Sequence, residues 1–114
     1  MKFNELNINS LSNKNTAATV PDGVNALKND IPLANSINWT WTSPVYDGGA
    51  AIDYYYVRHF LSSDLETQLG IQVSLSLSYN ATGLDPLTSY TIKVRAHNNE
   101  GNGATVTDAA TTII

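Results

Sequence analysis

The chain has 114 residues, ten acidic and six basic side chains, and a formal net charge of −4. This length suits one domain, and the acidic balance gives no electrostatic reason for binding nucleic acid. Cysteine is absent, which excludes disulfides and thiolate metal sites, and no apolar run approaches the ~20 residues of a membrane span. Hydrophobic residues make up 42% and charged residues 14%, which favours an all-β domain with polar, uncharged surfaces.

The first part of the chain, residues 1–19, is polar and rich in asparagine, with no hydrophobic period. We interpret it as an arm or linker that is flexible, held by a partner chain, or laid along the folded domain. It also lacks the continuous apolar core of a secretory signal. If Met1 is the native start, the protein is therefore made in the cytoplasm. If the chain is a fragment, a cell-surface or extracellular origin stays open.

The next part of the chain predicts four short strands. Proline and apolar residues over 20–27 indicate the first strand. Residues 36–42 alternate strictly between apolar and polar side chains, which predicts a second strand. A third strand is expected over 52–60, followed by a loop and a short fourth strand within 62–68. In the second strand, the side chains expected to share one face are Ile37, Trp39 and Trp41.

The last part of the chain predicts three further strands. Leucine, valine and tyrosine alternate with serine over 73–79, so we expect one continuous strand with its apolar side chains buried. Residues 90–96 alternate in the same way, and a final strand is expected over 104–112. Seven short strands joined by turns rich in Gly, Asn and Pro predict a sandwich of two sheets.

A turn at Pro86 leads into the strand that begins at Tyr90. This placement predicts a tyrosine corner, in which the ring is buried and the hydroxyl group binds the backbone of the turn. The pattern Leu-x-Pro-x-Thr-x-Tyr over 84–90, with Ala-x-Asn-x-x-Gly-x-Gly over 96–103, resembles the fibronectin type III domain. The resemblance implies an all-β, seven-stranded immunoglobulin-like β-sandwich over residues 20–114, preceded by an extended N-terminal arm.

The sequence contains no pattern that indicates catalysis. His59 and His97 lie on strands that are expected to pair, but a metal site would need a third ligand that no carboxylate supplies by its spacing. We therefore interpret both histidines as exposed side chains. Common nucleotide-binding, hydrolase and calcium-binding motifs are absent. The prediction is a protein that is not an enzyme and has no cofactor and no bound metal.

Two surfaces are candidates for partner binding. The third and sixth strands are neighbours in this fold, and their outward residues combine tyrosine with basic side chains, which are enriched at binding hot spots. Alternatively, such pairs only stabilise an exposed sheet. Loops at one end of the sandwich form the second candidate. The predicted binding residues are Tyr54, Tyr56, Arg58, Lys93 and Arg95 on the sheet, and Tyr46, Asp47, Asn99 and Glu100 in the loops.

The resemblance implies a non-catalytic module that acts through protein–protein contacts. We expect a structural or decoration protein of a bacteriophage virion, bound to other subunits through residues 1–19 and the sheet surface. One alternative is a carbohydrate- or receptor-binding module that contacts a glycan or host receptor through Tyr54, Tyr56 and the adjacent basic side chains. Another is a spacer from a larger cell-surface or secreted protein. Neither nucleic acid nor a membrane span is expected.

Overall fold

A computed structural model of the protein describes residues 17–114, which form eight β-strands in two packed antiparallel sheets. One sheet has the order β1-β2-β5, and the other has the order β4-β3-β6-β7 with β8 also paired to β6. These residues form no helix, so no described helix could span a membrane. The predicted β-sandwich is confirmed, with eight strands instead of seven. The strands are β1 (Asn25–Asn29), β2 (Ile37–Thr42), β3 (Tyr54–Leu61), β4 (Gly70–Ser74), β5 (Ser78–Ala81), β6 (Ser89–Asn98), β7 (Gly101–Asn102) and β8 (Val106–Thr111).

Alternate residues of β2, β3 and β6 fill the space between the sheets. Burial of these aromatic and branched side chains is the main favourable contribution to folding. Trp39 is fully buried, and its indole Nε1 donates a hydrogen bond to Oδ2 of Asp108 at 2.9 Å. Trp39 therefore keeps its one polar atom bonded, whereas the buried Nε1 of Trp41 has no hydrogen-bond partner among residues 17–114. The core residues on these three strands include Ile37, Trp39, Trp41, Tyr55, Val57, Tyr90, Ile92, Val94 and Ala96.

The predicted tyrosine corner is confirmed. Tyr90 is buried, and its hydroxyl oxygen accepts a hydrogen bond from the backbone N–H of Asp85 at 2.9 Å. Thr112 reinforces the same turn, because its Oγ1 donates to the carbonyl of Asp85 and accepts from the N–H of Thr88. Leu87 has a φ of 52°, in the left-handed region that tight turns require. These contacts fix the path of the chain between the two sheets.

The prediction of one continuous strand over 73–79 is wrong. The chain forms β4, which pairs with β3, and then β5, which pairs with β2 in the other sheet. Between them, the Ser76 hydroxyl donates to the carbonyl of Ser78, a local bond in place of a ladder. Alternation identifies an extended segment but does not tell which sheet it joins. The side chains that are exposed instead of buried are Val73 (53%), Leu75 (61%) and Leu77 (42%).

The short strand expected within 62–68 is also absent from the described structure. This segment forms a loop, with an isolated bridge between Leu61 and Asp64, and β4 begins after it at Gly70. A Cβ atom at Gly70 would lie 2.5 Å from the Tyr79 hydroxyl oxygen and 2.6 Å from Cε1 of His59. The close approach of these two rings therefore requires glycine at the first position of β4.

Most of the predicted N-terminal arm, residues 1–16, lies outside the described residues. Thr19 contacts the sandwich: its N–H donates to the carbonyl of Gly48 at 2.8 Å, and its carbonyl accepts from the Asn98 carboxamide at 2.8 Å. At the other end of the chain, the N–H of Thr112 donates to the carbonyl of Thr88. Asn98 is the last residue of β6, and Thr88 immediately precedes its first residue. Because Thr19 contacts Asn98 and Thr112 contacts Thr88, the two residues lie at opposite ends of the sandwich.

Candidate binding surface

The outward side of β3 and β6 brings together the five sheet residues predicted from the sequence. In the antiparallel pairing, Tyr56 lies opposite Arg95, and Arg58 lies opposite Lys93. Because successive side chains of a strand alternate between its two sides, these four share one side with Tyr54. All five are partly exposed. We call Tyr54, Tyr56, Arg58, Lys93 and Arg95 the outward sheet face.

Aromatic rings hold the three cations of this face in place. The guanidinium carbons of Arg58 and Arg95 lie 4.8 and 4.5 Å from the ring centroid of Tyr56. Lys93 places its Nζ atom 5.0 Å from the ring centroid of Phe60. Each such contact contributes about 0.5–1 kcal/mol at an exposed site. Its further effect is to restrict long, flexible side chains to defined positions.

Phe60 was not among the predicted binding residues, although it belongs to this surface. It lies on the same side of β3 as Tyr56 and Arg58, yet it is only 3% exposed. Arg58 and Lys93 cover it, with the Arg58 guanidinium carbon 5.6 Å from the Phe60 ring centroid. The alternation of β3 carries the signal for this position, since Phe60 follows Arg58 by two residues. Phe60 therefore packs beneath the side chains of Arg58 and Lys93.

The positive charge of the outward sheet face has no internal counterion within residues 17–114. Three of the protein's six basic residues lie here, and the one salt-bridge contact in the described part of the chain joins Asp53 to His97. Even the buried Nε atoms of Arg58 and Arg95 have no hydrogen-bond acceptor among residues 17–114. A partner's carboxylate can therefore bind the outer guanidinium nitrogens without displacing an internal carboxylate.

A second aromatic contact orders the end of the face nearest the loops. The rings of Tyr54 and His97 are stacked, with centroids 4.2 Å apart and an angle of 10° between their planes. Nδ1 of His97 lies 2.6 Å from Oδ1 of Asp53, within hydrogen-bond distance. The carboxylate orients the imidazole, and the imidazole supports the tyrosine ring. His97 and Asp53 were not predicted as part of this surface, because their pairing depends on the register between β3 and β6.

The two histidines do not form a metal site. In the ladder His59 pairs with Ile92 and His97 with Tyr54, so the two imidazoles are far apart along the strands and on opposite sides of the sheet. Residues 17–114 hold no group of three His, Asp or Glu side chains that could bind a metal ion. The sequence pattern of alternate inward residues, continued from Tyr55 and Val57, would have placed His59 inward.

The prediction that His59 is exposed is wrong. His59 is 5% exposed, and its Nδ1 lies 2.6 Å from the hydroxyl oxygen of Tyr79. Burial lowers the pKa of His59 and raises the pKa of Tyr79, because a charged ring would lose its hydration there. Burial therefore favours the neutral form of both rings. This pair is part of the core and lies on the opposite side of β3 from the outward sheet face.

The predicted loop residues lie together at one end of the sandwich. The buried carboxamide of Asn98 donates to the carbonyl of Asp47 at 2.9 Å and accepts from the N–H of Glu100 at 2.8 Å. One side chain therefore ties the loop after β2 to the loop after β6. The exposed residues presented by these loops are Tyr46, Asp47, Asn99 and Glu100. Their role in binding stays a prediction.

A cleft of about 310 Å³ opens at the other end of the sandwich, beside the tyrosine corner. His59, Leu69 and Tyr90 are among the residues that line it, and none of the predicted binding residues does. His59 and Tyr90 both form hydrogen bonds within the protein, to Tyr79 and to the backbone of Asp85. These polar groups of the cleft therefore have structural partners already.

The order of the strands and the buried corner match a known family. The family model described as the fibronectin type III domain matches residues 29–113. The chain belongs to this family. Fibronectin type III domains are generally non-catalytic modules that mediate protein–protein contacts or act as spacers. The match covers β2 to β8 and, of β1, only its last residue, Asn29.

Solved structures of fibronectin type III proteins resemble this one over most of the chain. A crystal structure of several titin domains is 28% identical with a TM-score of 0.73, and the match covers 99% of this chain and 36% of that one. Domains d3–d4 of the rat CD45 extracellular region are 24% identical with a TM-score of 0.73, over 85% of this chain and 52% of theirs. The chain thus spans about a third of the titin structure and half of the CD45 structure.

A single-domain structure gives a match of similar quality. The sixth fibronectin type III domain of human fibronectin type III domain containing protein 3 is 21% identical, with a TM-score of 0.72. The match covers 86% of this chain and 91% of that domain. At this identity the likeness establishes a shared fold. The described sandwich therefore shares the fold of this single domain.

Proposed function

We propose that this fibronectin type III domain binds a protein partner through its outward sheet face. The observation that carries the proposal is the Tyr56 ring, which contacts two guanidinium groups that have no counterion within residues 17–114. Tyrosine and arginine are the side chains that most often dominate binding energy at protein interfaces. The partner surface that fits this face presents carboxylates and an apolar group to rest against Tyr56.

The order of the face before binding supports the same proposal. A free arginine or lysine side chain loses rotamer freedom when it is immobilised at an interface, at about 0.5–1.5 kcal/mol each. Here the rings of Tyr56 and Phe60 already restrict Arg58, Arg95 and Lys93. Part of the loss of side-chain entropy therefore occurs on folding, and the outward sheet face is preorganised for binding.

Lysine cross-linking tests the proposal because the two sheets each offer one lysine. Lys93 lies on the outward sheet face, and Lys28 lies exposed on β1 of the other sheet. With a partner captured from the native source, we expect cross-links from Lys93 and not from Lys28. Arg95→Ala should abolish capture, whereas Lys28→Ala should leave it unchanged. Capture that survives Arg95→Ala with cross-links only from Lys28 would overturn the proposal.

Glycan binding has less support than protein binding. Both tryptophans, the best rings for stacking on sugars, are buried at 0% and 3% exposure. Of the two tyrosines that this alternative requires, Tyr54 is stacked on His97, and Tyr56 contacts two guanidinium groups. Glycan-array binding that disappears in Tyr56→Ala, while protein capture is unaffected, would reverse this preference.

Two settings for the module follow from the family resemblance. One is a bacteriophage virion, in which residues 1–19 would anchor a structural or decoration protein to other subunits. The other is a larger cell-surface or secreted protein in which the domain is a spacer, and this setting is supported by matches to parts of longer titin and CD45 chains. Mass spectrometry of purified particles from the source tests the first, and the gene sequence beyond both ends tests the second.

A further inference from the structure

The two sheets have four outer edges. β1 and β5 are the edges of one sheet; in the other, β4 forms one edge, and β7 and β8 together form the edge along β6. An edge strand presents backbone N–H and C=O groups that can pair with another chain. Proteins usually block such edges with charges, prolines, bulges or very short strands. The four edges of this domain differ in how they are blocked.

Three edges carry a recognisable block. In β1 the register shifts between Asn25 and Lys28, Ala26 has a φ of 53°, and Lys28 adds an exposed charge. In β8 the carboxylate of Asp108 points inward and accepts the hydrogen bond of Trp39. An inward-pointing charge on an edge strand is one of the known protections against pairing. The third edge, β5, has only four residues.

The fourth edge, β4, has none of these blocks. Residues 67–84 contain no charged side chain and no proline. Within residues 17–114, β4 pairs with β3 on one side and with no strand on the other. Exposed apolar side chains recur at every second position through β4 and the residues that immediately precede and follow it, which is a pattern suited to contact with a further strand. They are Leu69 (48%), Ile71 (50%), Val73 (53%) and Leu75 (61%).

We propose that β4 is a docking site at which an extended, acidic-flanked segment of a partner protein adds as a further strand. The proposal rests on the proposed function, because β4 continues the outward sheet face. Ile71 lies opposite Arg58 and Val73 lies opposite Tyr56 in the ladder. Main-chain hydrogen bonds supply affinity in strand addition, and the neighbouring side chains supply specificity.

Charge complementarity identifies the partner as acidic. Arg58 lies one strand away from Ile71, so a strand added to β4 lies about 10 Å from the backbone of Arg58. Glutamate and arginine side chains can together bridge such a gap. Pairing of β4 with β4 of a second copy would instead place the same three cations of each copy on one continuous surface. The uncharged edge beside a cationic face therefore fits an acidic partner segment better than a second copy.

A peptide titration tests the proposal. The probe is the peptide Glu-Glu-Thr-Val-Thr-Val-Thr-Val-Glu-Glu, and the controls carry Lys for every Glu or Pro for the central Val. We expect the acidic peptide to bind the isotope-labelled domain and to protect backbone amides of β4 from hydrogen exchange. The lysine-flanked and proline-containing peptides should bind at least about tenfold more weakly, which corresponds to about 1.4 kcal/mol.

Matched variants separate the edge from general surface effects. Ile71→Thr combined with Val73→Thr removes apolar contact without adding charge, and should weaken the acidic peptide about tenfold. Ile31→Thr combined with Val45→Thr makes the same change at positions that are 87% and 91% exposed, and should leave binding unchanged. Arg58→Gln should weaken the acidic peptide and not a version with Gln in place of Glu.

Several results would overturn the proposal. If the lysine-flanked peptide binds as tightly as the acidic one, the partner segment is not selected for acidic residues. If no peptide binds at millimolar concentration, β4 does not accept an added strand. Peptide contact confined to Tyr56 and Arg95, without protection of β4, would leave the proposed function standing and refute only this inference. A dimer in sedimentation that dissociates in the Ile71→Thr, Val73→Thr variant would assign the edge to a second copy.

Discussion

The two sides of β3 and β6 use aromatic side chains for opposite purposes. On the inner side, Tyr90 is 3% exposed and bonds the backbone of its own turn. On the outer side, Tyr56 contacts two guanidinium groups and remains partly exposed. Neighbouring residues of one strand thus serve the core and the surface in turn. The comparison teaches that stability and recognition can be altered separately in this domain.

Truncation of the core tryptophan should give the largest loss of stability. Trp39→Ala should lower the free energy of unfolding by about 3–5 kcal/mol, because it opens a cavity and leaves the Asp108 carboxylate without its donor. Equilibrium urea denaturation measures this change. A loss below about 1 kcal/mol would mean that the inner side does not depend on Trp39.

The tyrosine corner should give the next largest effect. Tyr90→Phe removes only the hydroxyl group and leaves the backbone N–H of Asp85 without its acceptor. This change should lower the free energy of unfolding by about 1–2 kcal/mol. Tyr56→Phe on the outer side is the matched control, and urea denaturation should give nearly the wild-type value for it. Equal losses in the two variants would show that the two sides are not energetically distinct.

The His59–Tyr79 pair should make stability depend on pH. Burial lowers the pKa of His59 in the folded protein, so the unfolded chain binds a proton more readily. The free energy of unfolding should therefore fall as the pH drops below the unfolded histidine value of about 6.5, until the lower folded pKa is reached. Urea denaturation between about pH 5 and 7.5 follows this change.

The control for this pH effect is His59→Gln. It keeps a hydrogen-bonding side chain near Tyr79 but removes the titration, so its stability should vary less over the same pH range. A pH profile identical to that of the wild type would show that the dependence has another source.

Removal of a cation from the outer side should have the smallest effect on stability. Arg95→Ala should change the free energy of unfolding by less than about 1 kcal/mol, because it loses one cation–π contact on a partly exposed ring. Thermal denaturation should give nearly the same midpoint as the wild type. If Arg95→Ala destabilises the domain as strongly as Trp39→Ala, the assignment of inner and outer sides is wrong.

The sequence predicted the parts of the fold that depend on local pattern. Alternation identified β2 and β6, the resemblance to the family indicated β3, and the position of Tyr90 after Pro86 identified the corner. Alternation did not separate β4 from β5, since leucine and serine in turn fit an extended chain in either sheet. The break between them depends on contacts with β2 and β3, which are distant in sequence.

The candidate surface was predictable to the same extent. The side of the sheet on which Tyr56 and Arg95 lie follows from period two, and their pairing follows from the adjacency of the strands. The stacking of Tyr54 on His97 and the contact of Lys93 with the Phe60 ring depend on the register between β3 and β6. Register is set by the whole sheet, so single-strand patterns could not specify these contacts.

Thr19 and Thr112 lie at opposite ends of the sandwich, and this placement bears on how the domain would respond to mechanical force. A pull applied through these two residues acts roughly along the strands. Hydrogen bonds of an antiparallel ladder run across the strands, so such a pull shears many of them at once instead of opening them one after another. Loading the domain through these two residues therefore acts on many backbone hydrogen bonds together.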